Sequence, residues 1–338
     1  MTTKKFAGGT IGGTALAKVV AQTLVRPSPE SPAGGFFSDK YLIYTLAELG
    51  RQRPARILIC GGDRDDSLVI STEVENRWEA VRIGNGVDFK QHALTVGDHV
   101  FVTQYHTDFM MEYDTATWSC EDTPTMPIKP IDCGSPGLVA IGTRIYSIGG
   151  GAGRTPLGAC WVYDTVARTW TALGADKPSP MFGFTTAVVG RRIFTFGGRA
   201  RGTVFDTAEV LDTATGKWTR LAPMPFRRCG MAAAVHGRQI WCFGGNDGDH
   251  NLDVIVVCDV DTGTWHATSH VMERPATAEV WLGDGECTVT ALSVDDDIWV
   301  IAGGSWVKFS PRTGVWSRRG GIPQFGYDHL TTDAATVI

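Results

Sequence analysis

No part of this 338-residue sequence carries the concentrated positive charge that a polyanionic partner requires. Lys and Arg number 31 against 36 Asp and Glu, for a net charge of −5 with both signs mixed along the chain, which argues against nucleic-acid binding. Uninterrupted apolar runs of about 18 residues are also missing, so no membrane-spanning helix is expected. The eight cysteines, at positions 60, 120, 133, 160, 229, 242, 258 and 287, form no C-x-x-C pair and no His-Cys cluster at zinc spacing. Cys60, Cys242 and Cys258 sit inside apolar runs, where a free thiol behaves as a small buried hydrophobe. Reduced cysteines imply a reducing compartment and a cytoplasmic location. Beyond the N-terminal segment there is little Ala, Leu, Glu and Lys at helical spacing. The chain has instead 41 glycines, 11 tryptophans and many short runs of Val, Ile, Thr, Phe and Tyr, the composition of an all-β fold built from many short strands.

Residues 1–35 stand apart. They carry Lys4, Lys5, Lys18 and Arg26 with no acid before Glu30, and Leu16, Val19, Val20, Thr23 and Leu24 fall on one helical face. Gly12, Gly13 and Lys18 interrupt the apolar stretch, which argues against a secretory signal. The segment reads as a flexible tail ending in a Pro/Ser/Gly-rich linker, with a mitochondrial targeting segment as the alternative. Residues 36–54 form a lead-in, and residues 55–338 form the folded domain.

That domain repeats. ILICGG (57–62), IYSIGG (145–150), IFTFGG (193–198), IWCFGG (240–245) and WVIAGG (299–304) are apolar runs closed by a glycine pair: Gly61–Gly62, Gly149–Gly150, Gly197–Gly198, Gly244–Gly245 and Gly303–Gly304. A second signature follows most of the pairs: YDTATW (113–118), YDTVARTW (163–170), LDTATGKW (211–218), CDVDTGTW (258–265) and FSPRTGVW (309–316), with STEVENRW (71–78) a degraded copy. Trp78, Trp118, Trp170, Trp218, Trp265 and Trp316 thus recur every 40 to 52 residues, a period that marks a repeat architecture. One unit reads as four strands: MAAAVHG (231–237), RQIWCFGG (238–245), DVIVVCD (253–259) and TWHA from 264. In the last hairpin, Asp212 or Asp259 is placed to accept turn N–H groups, and Gly216, Gly263, Gly314 or Asn76 to adopt a left-handed conformation. The tryptophan then opens the outer strand and packs on the neighbouring unit.

These residues resemble the kelch motif, whose marks are the strand-ending Gly-Gly, a later Tyr-Asp and an outer-strand Trp. The resemblance spans about residues 55–338, and it implies a six-bladed kelch-type β-propeller of four-stranded antiparallel blades. FGYDHLTTDAATVI (325–338) resembles a first strand with no unit after it, and is expected to close the ring by completing the first blade. The second copy departs from the pattern, with Gln104–Tyr105 in place of Gly-Gly, and the fifth has Cys258 in place of Tyr. No BTB or F-box is recognisable, since residues 36–54 are too short to hold a BTB domain.

The glycine pairs lead toward further strands and not into a helix N-terminus, so they are architectural and not phosphate-cradling. NDGDHNLD (246–253) lacks the final glutamate and flanking helices of a calcium loop. Neither a metal nor another cofactor is expected. The loops after the glycine pairs, together with the linkers between units, should share one face and frame a central pocket. They present Arg64, Tyr105, His106, Arg154, Arg199, Arg201, Asn246, Asp247, His250 and Trp306, with Asp328 and His329 near the closing strand. In kelch receptors of ubiquitin ligases an arginine before the inner strand contacts acidic peptides, and Arg227–Arg228 before Cys229–Gly230 match that position. The resemblance implies a monomeric, non-enzymatic interaction module for a protein partner, possessing an acidic segment. The alternatives are a small-molecule enzyme of the sugar-mutarotase or metal-dependent kind, drawing on Asp328, Glu286, Arg228 and Arg199, or a structural subunit of a larger assembly.

Overall fold

The structure is a computed structural model that describes residues 56–60, 66–71, 78–82, 90–104, 108–127, 136–152, 155–272, 289–302, 305–321 and 334–337. The N-terminal segment 1–55, including the tail, the targeting alternative and the lead-in, lies outside the described residues. These are organised as an all-β propeller of four-stranded antiparallel blades.

The first sheet orders Ala334–Val337, Arg56–Cys60, Asp66–Ser71 and Trp78–Arg82. The second comprises Lys90–Val96, His99–Gln104, Met110–Asp114 and Cys120–Asp122, and the third Gly137–Ile141, Arg144–Ile148, Cys160–Asp164 and Thr169–Ala172. The fourth follows with Thr185–Val189, Arg192–Phe196, Ala208–Asp212 and Lys217–Arg220. The fifth has Ala232–His236, Gln239–Phe243, Val254–Asp259 and Trp265–Val271, and the sixth Val289–Val294, Asp297–Ala302, Ser305–Ser310 and Val315–Gly321. The unit read from residues 231–267 therefore forms as expected, its outer strand extended to Val271 past a bulge opposite Val254–Val256.

Alternation along each strand sends one row of side chains to each neighbouring sheet, and the core lies between sheets. Val96, Phe101 and Met110 of the second sheet meet Leu138, Ile145 and Tyr163 of the third. Phe194, Phe196 and Val210 of the fourth meet Ile240, Cys242 and Cys258 of the fifth. Trp241, Phe243 and Val257 of the fifth meet Val300, Val307 and Phe309 of the sixth. Cys242 and Cys258 fill the interface of the fourth and fifth sheets, and Cys160 that of the third and fourth, as buried free thiols, and burial pushes Cys242 and Cys258 up to about 12.

The repeated Asp-to-Trp signature has two mechanical roles. Its aspartate closes the outer hairpin. Asp212 Oδ1 accepts the N–H groups of Ala214 and Thr215 at 2.9 and 3.2 Å, and Asp259 Oδ1 those of Asp261 and Thr262 at 3.0 and 2.9 Å. Its tryptophan ties one sheet to the linker before it. The indole N–H of Trp170 donates to the Pro124 carbonyl at 3.2 Å, Trp218 to Ala175 at 3.1 Å, Trp265 to Ala222 at 3.0 Å and Trp316 to Val271 at 2.9 Å. Each bond satisfies both a half-buried indole and a carbonyl of the preceding linker or, for Val271, of the last residue of the preceding outer strand. Trp118 is the exception and corrects the sequence reading. Its copy is two residues shorter, so Trp118 falls in the turn itself, at φ 57, and the outer strand starts at Cys120.

Candidate functional site

In a four-stranded antiparallel unit the loop after the second strand and the linker after the fourth emerge at the same end. In the fourth and fifth sheets these segments are tied together by backbone hydrogen bonds. After Gly197–Gly198 the chain makes a small hairpin, Arg199–Ala200 paired with Thr203–Val204. Its two-residue tip, Arg201 at φ 51 and Gly202 at φ 79, is a type I′ turn. On one side the hairpin bridges Phe182 of the preceding linker, and on the other Phe205 O accepts the Arg228 N–H at 3.1 Å. Cys229 then bridges Asn246, which bridges Asn251. The result is one connected arch over the two sheets, and a matching small hairpin, Gly151–Ala152 with Thr155–Pro156, lies at the end of the third.

Arg199, Arg201, Arg227, Asn246, Asp247 and His250 all lie on segments of this arch. Arg201 and His250 are exposed, and Arg227 pairs with Asp249 at 2.9 Å. Asn246 and Asp247 serve the loop itself. Asn246 Nδ2 donates to Asn251 Oδ1 at 3.0 Å and its Oδ1 accepts the Gly248 N–H at 2.7 Å. Asp247 Oδ1 accepts the N–H groups of Asp249 and His250 at 2.8 and 2.7 Å, which hold its carboxyl below the usual range. The described residues contain no cluster of three or more His, Cys, Asp or Glu placed to hold a metal ion.

Two expected surface contacts are interior. Arg228 is fully buried; its Nη1 donates to the Gly244 and Val254 carbonyls at 3.0 and 3.2 Å. Those carbonyls lie where the second and third strands of the fifth sheet part, so the guanidinium replaces the missing ladder bonds and anchors the linker. Burial lowers its pKa, yet an arginine so held stays charged. Trp306 is 2% exposed, stacked on Trp299 at a ring separation of 4.5 Å and lying over Gly320. It packs the sixth sheet and not the open face. Arg64, Tyr105, His106, Arg154, Asp328 and His329 lie outside the described residues, as do Gly61, Gly62, Gly303 and Gly304.

The arch also carries two aromatic residues that the sequence reading omits, Phe205 and Phe226, 37% and 43% exposed. Phe205 follows the small hairpin; Phe226 belongs to the linker that hydrogen-bonds back to it, through Met224 N–H to Asp206 O at 2.9 Å. An apolar residue inside each of the polar stretches TVFDT and PMPFRR was the available signal.

Away from the arch, His92 on the first strand of the second sheet is half-buried, and burial lowers its pKa from 6.5 to about 4. Above pH ~6.5 the ring is neutral folded and unfolded, and contributes nothing. Below it the unfolded chain takes the proton first, so stability falls progressively until pH ~4, by up to about 3 kcal/mol. His92→Gln should flatten that part of the curve; a urea midpoint with the same slope between about pH 6.5 and 4 in both proteins would rule this out.

Repeated four-stranded blades, interlocked by outer-strand tryptophans and opened at one end by Gly-Gly turns, define a β-propeller of the kelch kind. The family model described as the KLHDC2/KLHL20/DRC7 Kelch-repeats domain matches residues 85–304, and the chain belongs to the kelch-repeat family. No curated protein matches the sequence. Among solved structures the fold is similar to that titled "Structure of YjhT", with a TM-score of 0.52 and 17% identity over 64% of this chain and 73% of that one. At that identity the likeness concerns the fold alone. No helix among the described residues is long and apolar enough to cross a membrane.

Proposed function

We propose that this protein is an interaction module that binds a protein partner through the arch of the fourth and fifth sheets. The observation that carries the reading is the exposure of Phe205 and Phe226 beside Arg201 and Arg227 on segments held rigid by backbone bonds. Aromatic and arginine side chains on a fixed frame are the usual anchors of protein interfaces. Kelch domains generally mediate such binding, and the burial of Arg228 moves the contact outward from the position suggested by family resemblance. The frame is proposed as a single ring of six blades closed by the C-terminal strand. Ala334–Val337 pairs with Arg56–Cys60, and the inner strands touch in an unbroken circuit from Lys90–Val96 through Gly137–Ile141, Thr185–Val189, Ala232–His236 and Val289–Val294 to Ala334–Val337 and back.

A photo-crosslinking residue placed at Phe205 or Phe226 should capture a specific protein in cells. The same residue at Val166, 78% exposed on a turn at the opposite end of the third sheet, should not. Capture from Val166 alone, or from neither end, would overturn the reading.

A further inference from the structure

We propose that the buried Lys177–Glu209 pair is a register key, which lets the linker leaving the third sheet seat on the fourth sheet and on no other. It concerns the assembly of the fold and is independent of what the arch binds. Four linkers turn back onto the sheet they leave through the same backbone bond. Met126 N–H donates to Asp108 O, Lys177 N–H to Gly158 O at 2.6 Å, Met224 N–H to Asp206 O at 2.9 Å and Met272 N–H to Asp253 O at 2.6 Å. All four side chains are buried. Three are methionines, each inside the apolar cluster between its own sheet and the next. The fourth is a lysine.

Its partner departs from the repeat at the matching place. Three residues before the hairpin aspartate, Glu209 corresponds to Met111, Trp161 and Val256. The register agrees, since Glu209 lies opposite Thr195 as Val256 lies opposite Cys242, each two residues before its glycine pair. Met224 and Val256 share one cluster. The junction after the fourth sheet is thus apolar where the junction before it joins Lys177 Nζ to Glu209 Oε2 at 2.8 Å. Two departures that meet each other form one feature. Stability does not account for it, because an apolar pair of similar volume serves as well. Discrimination does. Similar sheets offer similar sockets, and a methionine fits an apolar socket that is not its own with little loss. A lysine there would leave its ammonium unpaired among apolar groups, and a methionine against Glu209 would strand the carboxylate. One charged junction among apolar ones therefore penalises every wrong docking of this linker and every wrong occupant of the fourth sheet. Misassembly between like units is the characteristic failure of repeat chains.

The test is refolding of the intact chain by dilution from urea, read as recovered monomer by size-exclusion chromatography and as native tryptophan fluorescence. The double variant Lys177→Met with Glu209→Leu should keep a urea midpoint close to the parent's, yet yield about threefold less monomer, the remainder appearing as misdocked or exchanged oligomers. Adding Met224→Lys with Val256→Glu to the parent makes two linkers interchangeable and should lower the yield as well. The same two changes added to the double variant leave a single key, one junction further on, and should restore the yield. A double variant that refolds with the parent's rate and yield would overturn the inference, whether or not the variants at 224 and 256 fold. So would a lower yield that merely follows a lower midpoint, judged against Ile193→Val, a change in the interface of the third and fourth sheets that strands no charge. The pair would then act through stability alone.

Discussion

Replacing Glu209 with glutamine is expected to lower stability by about 3 to 5 kcal/mol. Glu209 lies on the third strand of the fourth sheet and is fully buried, and its Oε2 accepts from the equally buried Lys177 Nζ at 2.8 Å. Lys177 belongs to the linker from the third sheet, where its ammonium also donates to Ser179 O at 2.6 Å and lies 5.1 Å from the Phe184 ring centre. Ser179 Oγ donates to Glu209 Oε1 at 2.6 Å, and the exposed Arg220 donates from Nη2 to Ser179 Oγ at 3.0 Å and lies 3.7 Å from Glu209 Oε1. Burial pulls the Lys177 ammonium below its ordinary pKa against the opposing pull of Glu209, so desolvation outweighs the pair's attraction. Such a pair adds little net stability over an apolar pair, but losing one partner strands a buried charge. The double variant Lys177→Met with Glu209→Leu should therefore recover most of the loss. Chemical unfolding followed by tryptophan fluorescence measures both. A Glu209→Gln variant within about 1 kcal/mol of the parent would show that the linker yields and hydrates the lysine.

The pair also shows where the sequence stops being readable. Period-2 apolar runs, the Gly-Gly endings and the Asp-to-Trp hairpins are local rules, and they placed the strands of the fifth sheet and the turn roles of Asp212, Asp259, Gly216 and Gly263 correctly. Lys177 stands in DKPSP and Glu209 in AEVLD, contexts that read as a solvated loop and a solvent-facing strand position. Their burial is decided by how the linker folds back across the sheet, which no local pattern encodes. The same holds for Arg228. Its place in the motif was legible, but its direction was set by two carbonyls 16 and 26 residues away. The exposure of Arg201, Arg227 and His250 was legible because solvated loops leave charged side chains where the sequence suggests. Phe205 and Phe226 were missed because an exposed aromatic is recognised only after the interior has been filled by others. Trp118 failed for a simpler reason: a turn two residues shorter moves the tryptophan off the strand, and the Trp spacing alone does not reveal the change.

Gly197→Ala is expected to cost about 3 kcal/mol and to weaken partner binding from a position that no ligand touches. Gly197 ends the second strand of the fourth sheet at φ +62, where an alanine pays a backbone penalty of about 1 kcal/mol or somewhat more. A methyl group there would also press into the Arg228 carbonyl oxygen and come within 2.9 Å of Met231 Cε and 3.1 Å of Met224 Cε. That carbonyl cannot move freely, because it accepts the Gly198 N–H at 2.9 Å while the Arg228 N–H holds Phe205 O. Relief must come from displacing the linker that carries Phe226 and Arg227, so the arch and the affinity should shift together. Gly142→Ala is the control. Gly142 has φ +60 and open space where its methyl would go, so it should show the backbone cost with no loss of binding. Equal destabilisation of the two variants would mean that the glycine pair serves only the turn. The expected excess at Gly197, with partner binding reduced in that variant alone, would mean that it also sets how closely the linker after the fourth sheet packs against a strand end of the same sheet.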